Sequence, residues 1–74
     1  MMKDEACRKI LDIVQHQEIT VKELQELFYI PLGTIKRYVT QMIKEGKIKQ
    51  KKVYVEEAHC YRYFLTKITN NLNG

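Results

Sequence analysis

Ile30-Pro31-Leu32-Gly33-Thr34-Ile35-Lys36-Arg37-Tyr38-Val39-Thr40-Gln41-Met42-Ile43-Lys44-Glu45-Gly46 is the stretch on which the fold turns. Pro31, with φ fixed near the helical value, suits a first helical position. Gly46 suits the left-handed residue that follows a helix end, and Lys44 and Lys47 complement the negative end of the dipole. The spacing predicts a helix over 31–45. Ile35, Val39 and Met42 form the centre of its buried face, with Tyr38 and Ile43 at the edges. The opposite face holds Gly33, Lys36, Arg37, Thr40, Gln41 and Lys44, which is three cations and no acid. Exposed helix faces usually mix signs, so this face is unusual.

On its N-terminal side lies Thr20-Val21-Lys22-Glu23, a capping box. The Thr20 hydroxyl can accept from the Glu23 amide while the Glu23 carboxylate reaches back to the Thr20 amide. Ile19 and Leu24 match a hydrophobic staple. A helix follows to about Phe28, with Val21, Leu24, Leu27 and Phe28 read as inward. About two turns cannot hold alone in water, so this helix must dock on another. Before it, Cys7, Ile10, Leu11, Ile13 and Val14 recur at helical spacing and predict a helix over 4–16, with Asp4 and Glu5 at its positive end. Glu18–Thr20 reads as a short extended link.

On the C-terminal side the period changes. Lys47–Val55 and Tyr61–Thr66 are rich in Val, Ile, Tyr and Phe and read as two strands, with Glu56–Cys60 as the hairpin loop. Tyr61, Tyr63 and Leu65 share one face. The apolar parity of the first strand shifts between Ile48 and Val53/Val55, which predicts a bulge or bend near Gln50–Lys52. The expected organisation is one domain over 4–66 and a polar, frayed tail over 67–74.

The 74 residues allow one small domain and little room for a deep substrate pocket. No apolar run approaches the ~18 residues of a membrane span. The N-terminus lacks the apolar core of a signal peptide, so a cytoplasmic location and no membrane association are expected. There is no serine, no glycine-rich phosphate loop and no convergent carboxylate pair, so no enzyme and no cofactor are expected. Cys7, Cys60, His16 and His59 have no metal-ligand spacing; Cys7 reads as a small core residue and His59-Cys60 as a loop pair. Charge is the informative quantity. Residues 1–30 carry four Lys/Arg and six Asp/Glu, a net of −2, and residues 31–74 carry nine and three, a net of +6. Such asymmetry points to an anionic polymer as partner.

The order of helix, short extended piece, helix, turn, helix and hairpin makes an α+β fold that resembles a winged-helix domain. The resemblance covers roughly residues 6–66. It rests on Glu18–Leu24, Ile30–Val39, Met42–Ile48 and Tyr61–Thr66, and is nearest to compact bacterial regulators such as the fimbrial-operon type and DeoR-like N-terminal domains. It implies a sequence-specific double-stranded DNA-binding regulator of transcription, with the 31–45 helix in the major groove and the hairpin as wing. Carried over by position, Thr34, Lys36, Arg37 and Gln41 would lie nearest the bases or flanking phosphates. Arg37 can pair bidentately with guanine and Gln41 with adenine. Gly33 allows close approach of a phosphate to the helix N-terminus. Thr40 shares that face, and Lys44, Lys49, Lys51 and Lys52 read as phosphate contacts.

One departure bears on the wing. Its tip holds Glu56 and Glu57 and no glycine, so the base of the hairpin is expected to touch DNA. The tip suggests a second reading, a module that binds another protein. In a third reading the tyrosines stack on unpaired bases, which requires Tyr54 or Tyr61 exposed beside Lys51 or Lys52. The expectation set against it places Tyr29, Tyr38, Tyr54, Tyr61 and Tyr63 mostly at the core edge. No heptad helix offers a dimer seam, so the oligomeric state is not legible.

Overall fold

Local stop and start signals decide where the chain turns in the computed structural model, which describes residues 1–69. The elements are α1 (Lys3–His16), α2 (Val21–Phe28), α3 (Leu32–Lys44), β1 (Ile48–Val55) and β2 (Cys60–Lys67), with a 3₁₀ turn at Glu56–Ala58 between the strands. Three helices followed by an antiparallel hairpin is the α+β winged-helix arrangement expected from the sequence. Residues 70–74, most of the expected tail, lie outside the described residues, and Lys67 is the last residue of β2.

The capping box forms as read. The Glu23 amide donates to Thr20 Oγ1 at 3.1 Å, and the Thr20 amide donates to Glu23 Oε1 at 2.9 Å. Two otherwise orphaned donors are thereby satisfied, which fixes the start of α2. Its end is marked by Tyr29 in left-handed geometry at φ 56°. The end of α3 is a Schellman motif. The Gly46 amide donates to the Ile43 carbonyl and the Lys47 amide to the Met42 carbonyl, both at 3.0 Å, with Gly46 at φ 74°. The start of α3 departs from expectation. Pro31 is the capping residue rather than the first helical one, and its carbonyl accepts from the Thr34 and Ile35 amides.

The core is built from Ile10 and Val14 of α1, Leu24 of α2, Ile35, Val39 and Met42 of α3, Ile19, Ile48 and Leu65. Ile19 and Leu65 form a backbone bridge, with the Leu65 amide on the Ile19 carbonyl at 2.7 Å and the reverse bond at 3.2 Å. The extended link between α1 and α2 is thus a third, one-residue partner of the sheet, and it ties the helices to β2. Two side-chain expectations change. Ala6 joins the buried face of α1, while Cys7, Leu11 and Ile13 sit half-buried. Leu27, read as inward, is 57 % exposed, because the one short face of α2 that meets the core is filled by Leu24 and flanked by Val21 and Phe28.

The hairpin has no bulge. Its pairing runs unbroken from Ile48 opposite Lys67 to Val55 opposite Cys60, so the strand spans Ile48–Val55 and Cys60–Lys67 and the loop shortens to 56–59. The parity shift has a simpler cause. Alternation puts Ile48, Gln50, Lys52 and Tyr54 on one face and Lys49, Lys51, Val53 and Val55 on the other. The core covers only the base of the first face, at Ile48 and Leu65. Farther out neither face is buried, so no single apolar parity is enforced.

Candidate nucleic-acid interface

The helix-turn-helix is positioned by α2 and α3 on either side of Tyr29–Pro31. The buried row Ile35, Val39 and Met42 orients α3, and steps of three and four residues then place Gly33, Lys36, Arg37, Thr40, Gln41 and Lys44 on the outer face, all exposed. Lys36, Arg37, Thr40 and Gln41 line one shallow depression. Thr34 is half-buried beside this face. The 13 residues of α3 make a rod of about 20 Å, which fits lengthwise in a major groove ~12 Å wide.

Electrostatics separates the cations into two sets. Lys9 pairs with Glu5, Lys47 with Glu45 and Lys51 with Glu18. Among the described residues, Lys36, Arg37 and Lys44 have no carboxylate partner. Three charges on one helix face are therefore free for an external anion. The acid nearest this face, Glu45, is held: Gln41 Nε2 donates to its Oε2 at 2.9 Å, and Lys47 Nζ lies 3.2 Å from its Oε1. These contacts, the Gln41 hydrogen bond first, hold its carboxyl below the ordinary value of 4.5. Glu45 thereby takes one of the two Gln41 amide donors.

The N-terminus of α3 is polarised for anions. Unlike α2 it has no side-chain cap, and unlike α1 and α2 it has no acid in its first turn. The Leu32 and Gly33 amides are therefore left without a capping acceptor. Gly33 and Gly46, at the two ends of α3, differ in kind. Gly46 is required by its positive φ, whereas Gly33 has ordinary helical geometry, and a Cβ built there meets nothing within 4 Å. The fold itself makes no demand for glycine at position 33.

The wing lysines do not form one surface. Lys49 and Lys51 share a face, and Lys51 Nζ lies 2.6 Å from Glu18 Oε2. Lys52 is on the other face, its ammonium 4.5 Å from the centre of the Tyr61 ring. Sequence reasoning grouped them because a run of lysines conceals the two-residue alternation of a strand. Glu56 and Glu57 sit exposed in the turn at the tip. The expectation that the tyrosines lie mostly at the core edge fails. Tyr29 is 92 %, Tyr54 50 %, Tyr61 57 % and Tyr63 51 % exposed, and Tyr38 alone is half-buried. The described residues hold no cluster of three or more metal-ligating side chains and no helix long and apolar enough to cross a membrane.

A family model described as winged helix-turn-helix DNA-binding matches residues 3–49. The match takes in the three helices and ends at the second residue of β1, so the wing is established by the structure itself. Comparisons with curated proteins and with solved structures gave no match.

Proposed function

Because the chain belongs to the winged helix-turn-helix DNA-binding family, we propose that it is a sequence-specific double-stranded DNA-binding regulator of transcription that works by binding, without enzymatic chemistry. The observation that carries this reading is the outer face of α3, where Lys36, Arg37 and Lys44 stand exposed beside Gln41 with no carboxylate partner among the described residues. In this reading α3 enters the major groove. Arg37 and Gln41 address base edges, and Lys36, Thr40 and Lys44 address bases or the flanking phosphates. The free amides at Leu32 and Gly33 receive a phosphate, with Thr34 beside them. Lys49 at the base of the wing meets the backbone. Lys51 does so only by exchanging Glu18 for a phosphate, and Lys52 only from the opposite face of the hairpin. The narrower likeness to fimbrial-operon and DeoR-like regulators belongs to this proposal as well.

Selection of bound duplexes from a random pool, followed by binding across a salt series, tests it. Neutralising about 4–5 phosphates gives a log–log slope near −4. Arg37→Ala weakens the selected site by roughly 1–3 kcal/mol and relaxes the preference at one position. Unchanged affinity in a folded Lys36→Ala/Arg37→Ala double variant refutes α3 as the reader. A second reading, protein binding through the wing tip, is supported by Glu56 and Glu57, which are exposed and have no cationic partner among the described residues. Loss of a salt-insensitive protein complex on Glu56→Gln/Glu57→Gln, with duplex binding intact, would separate the two.

A further inference from the structure

One face of the hairpin enters the duplex reading only through Lys52. Beyond Ile48 and Leu65, which close the core, it carries Gln50, Lys52 and Tyr54 on β1 and Tyr61 and Tyr63 on β2. Tyr54 and Tyr61 stand opposite each other and meet edge to face, with ring centroids 5.2 Å apart and planes at 71°. Lys52, opposite Tyr63, lies over the Tyr61 ring. The charges on this face are Lys52 and Lys67, and no strand carboxylate shares it. A purely structural role explains part of this arrangement, since a cross-strand aromatic pair steadies a two-stranded ribbon. It does not explain Tyr63, which faces a lysine and leaves half its surface in water.

We propose that this face binds single-stranded DNA, with unpaired bases stacked on Tyr61, Tyr63 and Tyr54 and with Lys52 on the strand's phosphates. Flat aromatic surfaces interleaved with positive charge match the two features an unpaired strand offers, exposed base faces and an anionic backbone. A duplex hides its base faces and cannot use the tyrosines in this way. Alternate residues on a strand stand about 6.8 Å apart, twice the ~3.4 Å repeat of stacked bases, so Tyr61 and Tyr63 offer separate footings to a drawn-out strand. The choice of DNA rests on the family reading of the chain, since the α3 face would place the wing beside DNA. The stacking face itself stands on the hairpin geometry alone.

The chain has no tryptophan, so its intrinsic emission comes from five tyrosines, three of them on this face. Titration of the full chain with an oligothymidylate of roughly 16 nucleotides is expected to quench that emission saturably at low salt. Tyr61→Ala and Tyr63→Ala should each weaken binding about tenfold or more, while Tyr61→Phe stays within about twofold. Tyr63→Ala should leave the Tyr54–Tyr61 pair intact, and thermal melts are the control that both variants fold. Tyr29→Ala, an exposed tyrosine outside the hairpin, should bind like the parent. Arg37→Ala should lower duplex affinity and leave oligothymidylate affinity unchanged, so failure of either proposal is read separately. Absence of quenching overturns the inference, as does equal loss in Tyr29→Ala or in Arg37→Ala. Preference for oligouridylate assigns the face to RNA instead. Concentration-dependent dimerisation abolished by Tyr63→Ala, without strand binding, assigns it to a second copy.

Discussion

Gly33→Ala should stabilise the protein and weaken its hold on duplex DNA, an opposition of signs that a purely structural glycine cannot produce. Position 33 has ordinary helical geometry, and an added Cβ meets nothing within 4 Å, so alanine enters without strain. Glycine loses more chain entropy than alanine on entering a helix, and compatible Gly→Ala changes stabilise by about 0.4–1 kcal/mol. In a domain of this size that is a rise in Tm of about 2–8 °C. In the proposed reading a phosphate meets the Leu32 and Gly33 amides, which have no capping acceptor, and it would have to share that space with the added methyl. Displacing a charged acceptor from such a donor costs about 1.5–3 kcal/mol, or roughly ten- to a hundredfold in affinity. Thermal unfolding by circular dichroism reads the first effect. Fluorescence anisotropy on a selected duplex at one fixed salt concentration reads the second. A variant that melts higher and binds as tightly as the parent would refute the reasoning, because it would show that nothing approaches this turn closely.

Other outcomes follow from the same structure. Leu65→Ala removes a fully buried side chain from the residue that bridges to Ile19. It should cost about 2–5 kcal/mol, a large share of the stability of so small a domain, and urea titration should show the chain largely unfolded or close to it. Glu45→Gln frees Lys47 and removes a carboxylate from beside Gln41, so duplex binding should tighten at low salt and its salt slope should steepen by about 0.9. The folded Glu45 carboxyl is lowered, so its stabilising contribution is complete above the ordinary value of 4.5 and is lost as pH falls through the lower folded value. Parent and Glu45→Gln melting curves should therefore converge on acidification, and a gap that widened would contradict the assignment. Burial pushes the Cys7 thiol above its ordinary value of 9.0. At neutral pH an alkylating reagent should modify exposed Cys60 first and half-buried Cys7 more slowly, as mass mapping would report.

The helical half of the fold was legible because its signals are local. Thr20 and Glu23 name their own hydrogen bonds, Gly46 names a left-handed turn, and Ile35, Val39 and Met42 repeat at the helical period. The cationic face of α3 followed directly, since burial of one face fixes the other. What the sequence concealed depends on partners distant along the chain. The bridge from Ile19 to Leu65 joins residues far apart in sequence, and no local pattern announces it. Leu27 looked inward because α2 repeats its apolar residues, but a two-turn helix buries only one of them fully. The supposed bulge arose from expecting a continuous core under a hairpin that leaves the core beyond Ile48 and Leu65. The pairing of Lys51 with Glu18 was invisible for the same reason as the bridge: it is set by the link at Ile19 lying alongside β2.

Pairing also refines what the charge count means. The segment 33–52 carries seven Lys/Arg and one acid, which suggests a single broad basic surface. In the folded chain Lys47 is held by Glu45, Lys51 is held by Glu18, and Lys52 lies over Tyr61. Among the described residues, the cations of that segment left without any such partner are Lys36, Arg37 and Lys44 on α3, and Lys49 on the wing. Exposed ion pairs are worth little by themselves, but each cation so engaged must exchange one anion for another to bind a phosphate and gains less by doing so. Within this segment the free basic surface is therefore narrower than the composition implies. Three of its four unengaged cations lie on one helix, where side-chain direction is fixed by the buried row beneath, and in the proposed reading that concentration favours base reading over indiscriminate adhesion to the backbone. Lys52 is set apart from it by the alternation of β1 and belongs with the tyrosines. A duplex on α3 and an unpaired strand on the distal part of this hairpin face would thus draw mainly on different cations, which is why Arg37→Ala and Tyr63→Ala should separate the two binding modes instead of weakening both.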